Sequence, residues 1–184
     1  MRYHEQIRLK DGRTCVLRNA TANDAAGVLG NFILTHAETQ FLSTYPEEIR
    51  FTEEQEAELM QRKTDSENAI ELVAEVDGRI VGLSGIDPVS RIIKARHRAN
   101  FGISIEKAYW GLGIGDAMTK ACIALAKQAG YTQIELGVYS DNERSIRLYE
   151  KNGFKAYGAQ PRAFRLKDGS YHDEIIMAIL FDEA

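Results

Sequence analysis

Apolar residues alternate with polar ones in several short runs and recur every three or four residues in others. The chain therefore mixes the two-residue period of strands with the 3.6-residue period of helices. Strand-like runs at Gln6–Lys10 and Thr14–Arg18, at Ala69–Val76 and Ile80–Ile86, and at Ala163–Lys167 and Tyr171–Phe181 flank the pairs Asp11-Gly12, Asp77-Gly78 and Asp168-Gly169. Asp-Gly between two such runs is a strong hairpin signal, because both residues accept the positive φ of a tight turn. Three antiparallel hairpins are expected.

Helical segments carry their own start and stop signals. Thr21-Ala22-Asn23-Asp24 places a threonine cap before an acidic first turn, and Thr52 to Gln55 forms a capping box opening a helix to about Lys63. A third box is read at Ser140-Asp141-Asn142-Glu143, with a helix from Asn142 to about Asn152 stopped by Gly153. Ile114, Ala117, Met118, Ala121, Cys122, Leu125 and Ala129 form one buried helical stripe that ends at Gly130. "TQIELGVYS" follows as a strand, and a helical crossover between two strands makes them parallel. The order is a hairpin, two helices, three strands, a long helix, a strand, a helix and a final hairpin: mixed α/β in one domain spanning 1–184.

Composition adds bounds. At 184 residues, 44% hydrophobic and 27% charged with three prolines, the chain has the make-up of a folded globular protein without low-complexity linkers. A net charge of −4 argues against a nucleic-acid footprint, and the run Lys94-Ala95-Arg96-His97-Arg98 reads as a solvated strand edge. The charged opening "MRYHEQIRLKDGRT" is unlike a signal peptide, and no run reaches the ~18 apolar residues of a membrane span. A cytoplasmic location without membrane association is expected, with Cys15 and Cys122 as reduced core thiols and no metal site.

The stretch "YWGLGIGDAM", Tyr109 to Met118, sets Gly111, Gly113 and Gly115 at alternate positions before the long helix. Glycine there serves an unusual φ or the close approach of another group to the backbone. A P-loop is disfavoured, because Asp116 and Ala117 follow where lysine and a hydroxyl are needed. A dinucleotide-binding fingerprint fits the glycine spacing poorly, although Glu135 lies at a distance suited to a ribose contact. Both motifs share an anion site at a helix N-terminus, where free N–H groups and the macrodipole favour negative charge.

Trp110-Gly111-Leu112-Gly113-Ile114-Gly115 resembles the acetyl-CoA signature of the GCN5-related N-acetyltransferase (GNAT) superfamily, Gln/Arg-x-x-Gly-x-Gly/Ala, with tryptophan at the first position. "DNERSIRLYEKNGF", Asp141 to Phe154, is similar to the family's next helix, and "LRNATANDA" to its first strand and helix. The resemblance implies a mostly antiparallel central sheet flanked by helices, whose parallel crossover pair splays to admit acetyl-CoA. It assigns main-chain groups of Leu112, Gly113, Ile114, Gly115, Asp116 and Ala117 to the diphosphate and those of Ile103 and Ile105 to pantetheine and the acetyl carbonyl. Asn142 falls at a cofactor contact and Tyr149 at the general acid that protonates the departing thiolate.

His97, Glu135 and Tyr139 are candidate bases, and no spacing selects one of them. Seven glutamates from Glu38 to Glu58 lie where the family's variable recognition helices occur, as a solvated face or an attractor for a cationic amine. The implied acceptor is an amine, either a small molecule such as a polyamine or a protein amino group. A homodimer is what this fold family often forms. A non-catalytic acyl-CoA-binding domain is the rival reading, and a dinucleotide-binding protein a third.

Overall fold

The computed structural model describes residues 1–181. Its elements run β1 His4–Arg8, β2 Thr14–Asn19, α1 Ala25–Glu38, α2 Glu53–Asp65, β3 Ile70–Val76, β4 Arg79–Pro88 and β5 Arg98–Ile105. They continue α3 Ile114–Gln128, β6 Gln133–Tyr139, α4 Glu143–Lys151, β7 Lys155–Arg165 and β8 Tyr171–Leu180. The eight strands form one sheet in the order β1-β2-β3-β4-β5-β6-β8-β7. Every neighbouring pair is antiparallel except β5 and β6, which the α3 crossover joins in parallel. This is the expected architecture, and the three Asp-Gly hairpins all form, with Asp77 and Gly78 both at positive φ.

Helices cover both faces of the sheet. Leu72 and Ala74 of β3 point into the large core that α3 fills with Ile114, Met118, Cys122 and Leu125. Val73, of opposite parity, meets Val28 of α1 and Met60 of α2 on the other face. Each fully buried aliphatic side chain of this kind contributes about 1.5–3 kcal/mol. Cys15 and Cys122 are free and buried, and burial raises the Cys122 thiol to about 12. Among the described residues no helix is long and apolar enough to cross a membrane.

Three expectations are corrected. The last hairpin is longer than its pattern suggests: β7 begins at Lys155, eight residues before the expected Ala163. Most of β7 is an exposed edge strand, so burial imposes no alternation on it, and its register slips between Ala156 and Gly158 and between Gln160 and Phe164. Pro161 lies within the second irregularity, where no ladder hydrogen bond is required of it. The cap of α4 is Asn142 rather than Ser140: Asn142 Oδ1 accepts the Ser145 N–H at 3.2 Å, while the Ser140 N–H is used on Asp173. His97 belongs to the exposed loop before β5 and not to a strand.

Candidate active site

The parallel pairing of β5 and β6 lasts for three residue pairs, ending at Asn100 opposite Glu135. Beyond that point β5 stays with β4 as far as Ile105, and β6 stays with β8 as far as Tyr139 opposite Glu174. The two strands therefore part, leaving one backbone edge of β5 without a strand partner. A cavity of about 660 Å³ runs along this opening. Its size is ordinary for a small-molecule or cofactor site.

The glycine turn closes one end. Gly111 and Gly113 have φ of 82° and 104°, which side-chain-bearing residues rarely adopt. Gly115 is different: it is helical, and an added Cβ would lie 3.2 Å from Leu148 Cδ2 and 3.4 Å from Ile105 Cδ1. Two glycines thus turn the chain, and the third keeps the first turn of α3 open to its neighbours. Gly113 caps the helix, leaving first-turn N–H groups without intrahelical partners.

The predicted site residues divide by where their side chains go. Ile103, Ile105, Gly113, Gly115, Asp116, Asn142 and Tyr149 all line the cavity. Ile114 is buried in the core, and Leu112 and Ala117 pack against it. The Leu112 carbonyl accepts the Lys10 N–H at 3.2 Å, tying the turn to the first hairpin.

Asp116, an acid at an anion site, is neutralised locally. Its carboxylate takes Lys120 at 2.8 Å, Lys151 at 2.9 Å and the Asn152 side-chain amide at 3.0 Å. The hydrogen bond from Lys120 leads the contacts that hold it down to about 2. Trp110, which stands where the GNAT signature has glutamine or arginine, donates its indole N–H to the Ile105 carbonyl at 2.7 Å. Its ring carries the Arg144 guanidinium at 4.3 Å, so a cation from α4 stands at the cavity beside the turn. Nothing in local spacing reveals that pairing.

Tyr149 is 8% exposed and packs edge-on against Phe101 and Phe154. Burial raises its phenol to about 12, with the Ser145 hydroxyl one turn earlier pulling the other way. The proton stays on oxygen throughout the neutral range.

Of the three candidate bases, only Tyr139 lines the cavity. Glu135 is forked by Arg98 at 2.8 and 2.5 Å where the strands still pair. The seven glutamates from Glu38 to Glu58 are likewise absent from the lining. Glu47 pairs with Lys167, Glu38 and Glu48 accept backbone N–H groups, and Glu56 is buried. What the segment between α1 and α2 does supply is Thr39, Phe41, Leu42 and Ser43. Glu174 of β8 also lines the cavity, and nothing near it in the chain marks it as a site residue.

Residues 33–154 match the Acetyltransferase (GNAT) family. The chain is similar to the L-amino acid N-acetyltransferase AaaT of Escherichia coli (strain K12), 32% identical over 119 residues, 64% of this chain and 72% of that protein. Its fold superposes on an acetyltransferase of the GNAT family from Streptococcus pneumoniae with a TM-score of 0.87 at 28% identity, covering 91% of this chain and 99% of that one. A similar fold is seen in the Salmonella typhimurium yncA protein, whose structure holds its cofactor acetyl-CoA. There the TM-score is 0.81 at 20% identity over 92% and 95% of the two chains.

Proposed function

The chain belongs to the acetyltransferase (GNAT) family of acetyl-CoA-dependent N-acetyltransferases, and from that premise we propose that it acetylates a small primary amine by direct attack, with Tyr149 as the acid. The observation that carries this reading is the cavity along the parted β5 and β6, reaching from a glycine-lined helix N-terminus to a buried tyrosine. The residues present suit acetyl-CoA. The α3 N-terminus offers N–H groups to a diphosphate, and the free edge of β5 offers main-chain donors and acceptors to an amide-bearing arm. Arg144, held on Trp110, supplies a cation beside the turn in place of the side chain the signature carries at its first position.

Acetyl-CoA, when bound, supplies an activated acetyl thioester. The chain supplies placement, a place for negative charge and a proton. Main-chain N–H groups of β5 near Ile103 and Ile105 face charge developing on the carbonyl oxygen, and fixed donors there need no reorganisation. Tyr149 keeps its proton at Oη, because its phenol lies far above working pH, and it donates that proton toward the leaving sulfur. A free thiol of this type has a pKa of ~8.5, so complete transfer in water would be uphill. Inside the cavity the thiolate is desolvated as well, which narrows the gap. An alkylammonium of pKa ~10.4 must lose one proton before attack, and the nitrogen loses a second as the amide forms; exchange with solvent through the open cavity takes both and returns one to the Tyr149 phenolate.

The small-molecule acceptor is supported by the size of the cavity and by the relative named for L-amino acid acetylation. The test is acetyl transfer by wild type and Tyr149→Phe over a panel of amines, with thermal shifts in acetyl-CoA, NAD and ATP as the binding control. Saturation at about 100 times Kd stabilises by ~2.7 kcal/mol, raising the midpoint by roughly 5–10 °C. The expected result is a shift with acetyl-CoA in both proteins and turnover reduced at least about 100-fold in the variant. Unchanged turnover refutes the assignment of the acid, and a larger shift with NAD refutes the reading of the turn.

A further inference from the structure

The side of the cavity built by β6, β7 and β8 has a chemical character of its own. Phe164 stacks on Tyr139 with centroids 4.0 Å apart and planes 7° apart, and Phe41 meets Tyr139 edge-on at 5.7 Å. Three segments distant in the chain converge to make this wall: Phe41 follows α1, Tyr139 ends β6 and Phe164 is on β7. Beside it, Glu174 folds its side chain back across β6. A Cβ on Gly137 would overlap Glu174 Oε1 and fall 2.6 Å from its Cδ, so the missing side chain of Gly137 is the space the carboxylate occupies. Among the described residues Glu174 enters no ion pair, whereas the other lining acid, Asp116, is held by two lysines.

The cations are distributed the opposite way. Lys10, Arg144, Arg147 and Lys151 line the cavity, and all belong to the first hairpin or to α4; Lys10 bonds Leu112, Arg144 lies on Trp110, Lys151 pairs with Asp116 and Arg147 with Glu143. None lies on the segments that build the aromatic wall. Arg162 and Arg165 are turned onto Tyr171, Lys167 is held by Glu47 and Tyr45, and His172, 5.8 Å from Tyr139, is engaged by Asp141; all four are outside the lining.

Resting on the acetyltransferase reading above, we propose that the acceptor site selects a cationic amine on an aromatic or apolar body and rejects one whose amine stands next to a carboxylate, with Glu174 as the specificity-determining residue. Glu174 holds the ammonium end of the incoming molecule at the cavity, and the partly exposed rings of Phe164 and Phe41, backed by the buried Tyr139, take its body and add cation–π attraction. An α-carboxylate would be placed against Glu174 without a counter-cation, and an unpaired like charge out of bulk water is strongly disfavoured.

The experiment compares three probes that share one ring: 2-phenylethylamine, L-phenylalaninol and L-phenylalanine. Phenylalaninol keeps the branch of the amino acid without its charge. Binding to the CoA-saturated protein is measured by calorimetry, and acetylation by kcat/KM. The expected order puts 2-phenylethylamine and phenylalaninol within a few-fold of each other and both at least about 30-fold ahead of phenylalanine. Glu174→Gln should weaken the two amines by about 10- to 100-fold, the size of one charge-assisted hydrogen bond, and so narrow the gap to phenylalanine. The acetyl-CoA thermal shift of the variant reports that it is folded.

Phenylalanine binding as well as phenylethylamine in the wild type overturns the proposal without any appeal to the variant. So does a Glu174→Gln protein that binds acetyl-CoA normally and keeps the wild-type order of the three probes. Failure of acetyl-CoA to bind, or of any amine to be acetylated, strikes the acetyltransferase reading instead. Calorimetry on the three probes still tests the selectivity in that case, and an absence of binding by all three rejects it.

Discussion

Replacing Gly113 and Gly115 separately by alanine should produce opposite balances of stability and cofactor affinity. At Gly113 an added Cβ meets no atom within 4 Å, so the whole cost is the backbone, held at φ 104°. A non-glycine residue in such a region costs about 1–3 kcal/mol. At roughly 2–4 °C per kcal/mol for a domain of this size, a penalty of ~2 kcal/mol lowers the unfolding midpoint by about 4–8 °C. Gly115 is in ordinary helical conformation, where alanine is favoured over glycine by about 1 kcal/mol. Its Cβ would meet only the ends of two flexible side chains, Leu148 Cδ2 at 3.2 Å and Ile105 Cδ1 at 3.4 Å. The opposing effects leave the midpoint of Gly115→Ala within about 3 °C of wild type. The same methyl group enters the mouth of the cavity, so acetyl-CoA affinity should fall about tenfold or more, ~1.4 kcal/mol. Differential scanning calorimetry of the free proteins and titration calorimetry with acetyl-CoA measure the two quantities. A Gly113→Ala protein melting within about 1 °C of wild type, short of even the ~2 °C that the low end of the penalty gives, or a Gly115→Ala protein less stable than Gly113→Ala, would refute the separation of roles.

Two further outcomes follow from the charges at the site. Tyr149 is neutral in the fold with its phenol raised from 10.0 to about 12, so its contribution is complete below pH 10 and is lost as pH rises toward 12, where the unfolded chain ionises first. The loss approaches about 2.7 kcal/mol; urea melts of wild type and Tyr149→Phe at increasing pH should show their stability difference shift by roughly that amount, and a constant difference would contradict the burial of the phenol. Asp116→Asn removes an anion from the α3 N-terminus and releases Lys120 and Lys151. Acetyl-CoA affinity should rise about three- to tenfold at low salt, with the gain shrinking in high salt, while the free protein loses up to about 1 kcal/mol; weaker binding at low salt would show that the carboxylate supports the cofactor.

The elements legible in the amino-acid sequence share one property: their signals lie within a few residues. Asp77 and Gly78 specify their own turn. Thr52 and Gln55 exchange hydrogen bonds across one helical turn, and the stripe from Ile114 to Leu125 marks the buried face of α3 by its period alone. The glycine turn is legible for the same reason, although the fold divides its three glycines between handedness and close packing. β7 is legible only in part, because an exposed edge strand carries no burial pattern to read. At the start of α4 two capping-competent residues, Ser140 and Asn142, stand two apart; the fold bonds the Ser140 backbone to the Asp173 carbonyl of β8 and begins the helix at Asn142, whose Oδ1 accepts the Ser145 N–H.

The order of the elements, their turns and caps, and the helix N-terminus at which an anion is favoured all follow from backbone geometry and side-chain periodicity over short stretches of chain. Which groups meet in the cavity does not, because each meeting depends on how distant strands and helices assemble. Arg144 reaches the turn through Trp110, Glu135 is withdrawn by Arg98, and Glu174 lies across Gly137 because β6 and β8 pair in one register. A slip of one residue in that register would send Glu174 to the other face of the sheet, and nothing local to Glu174 records which register forms.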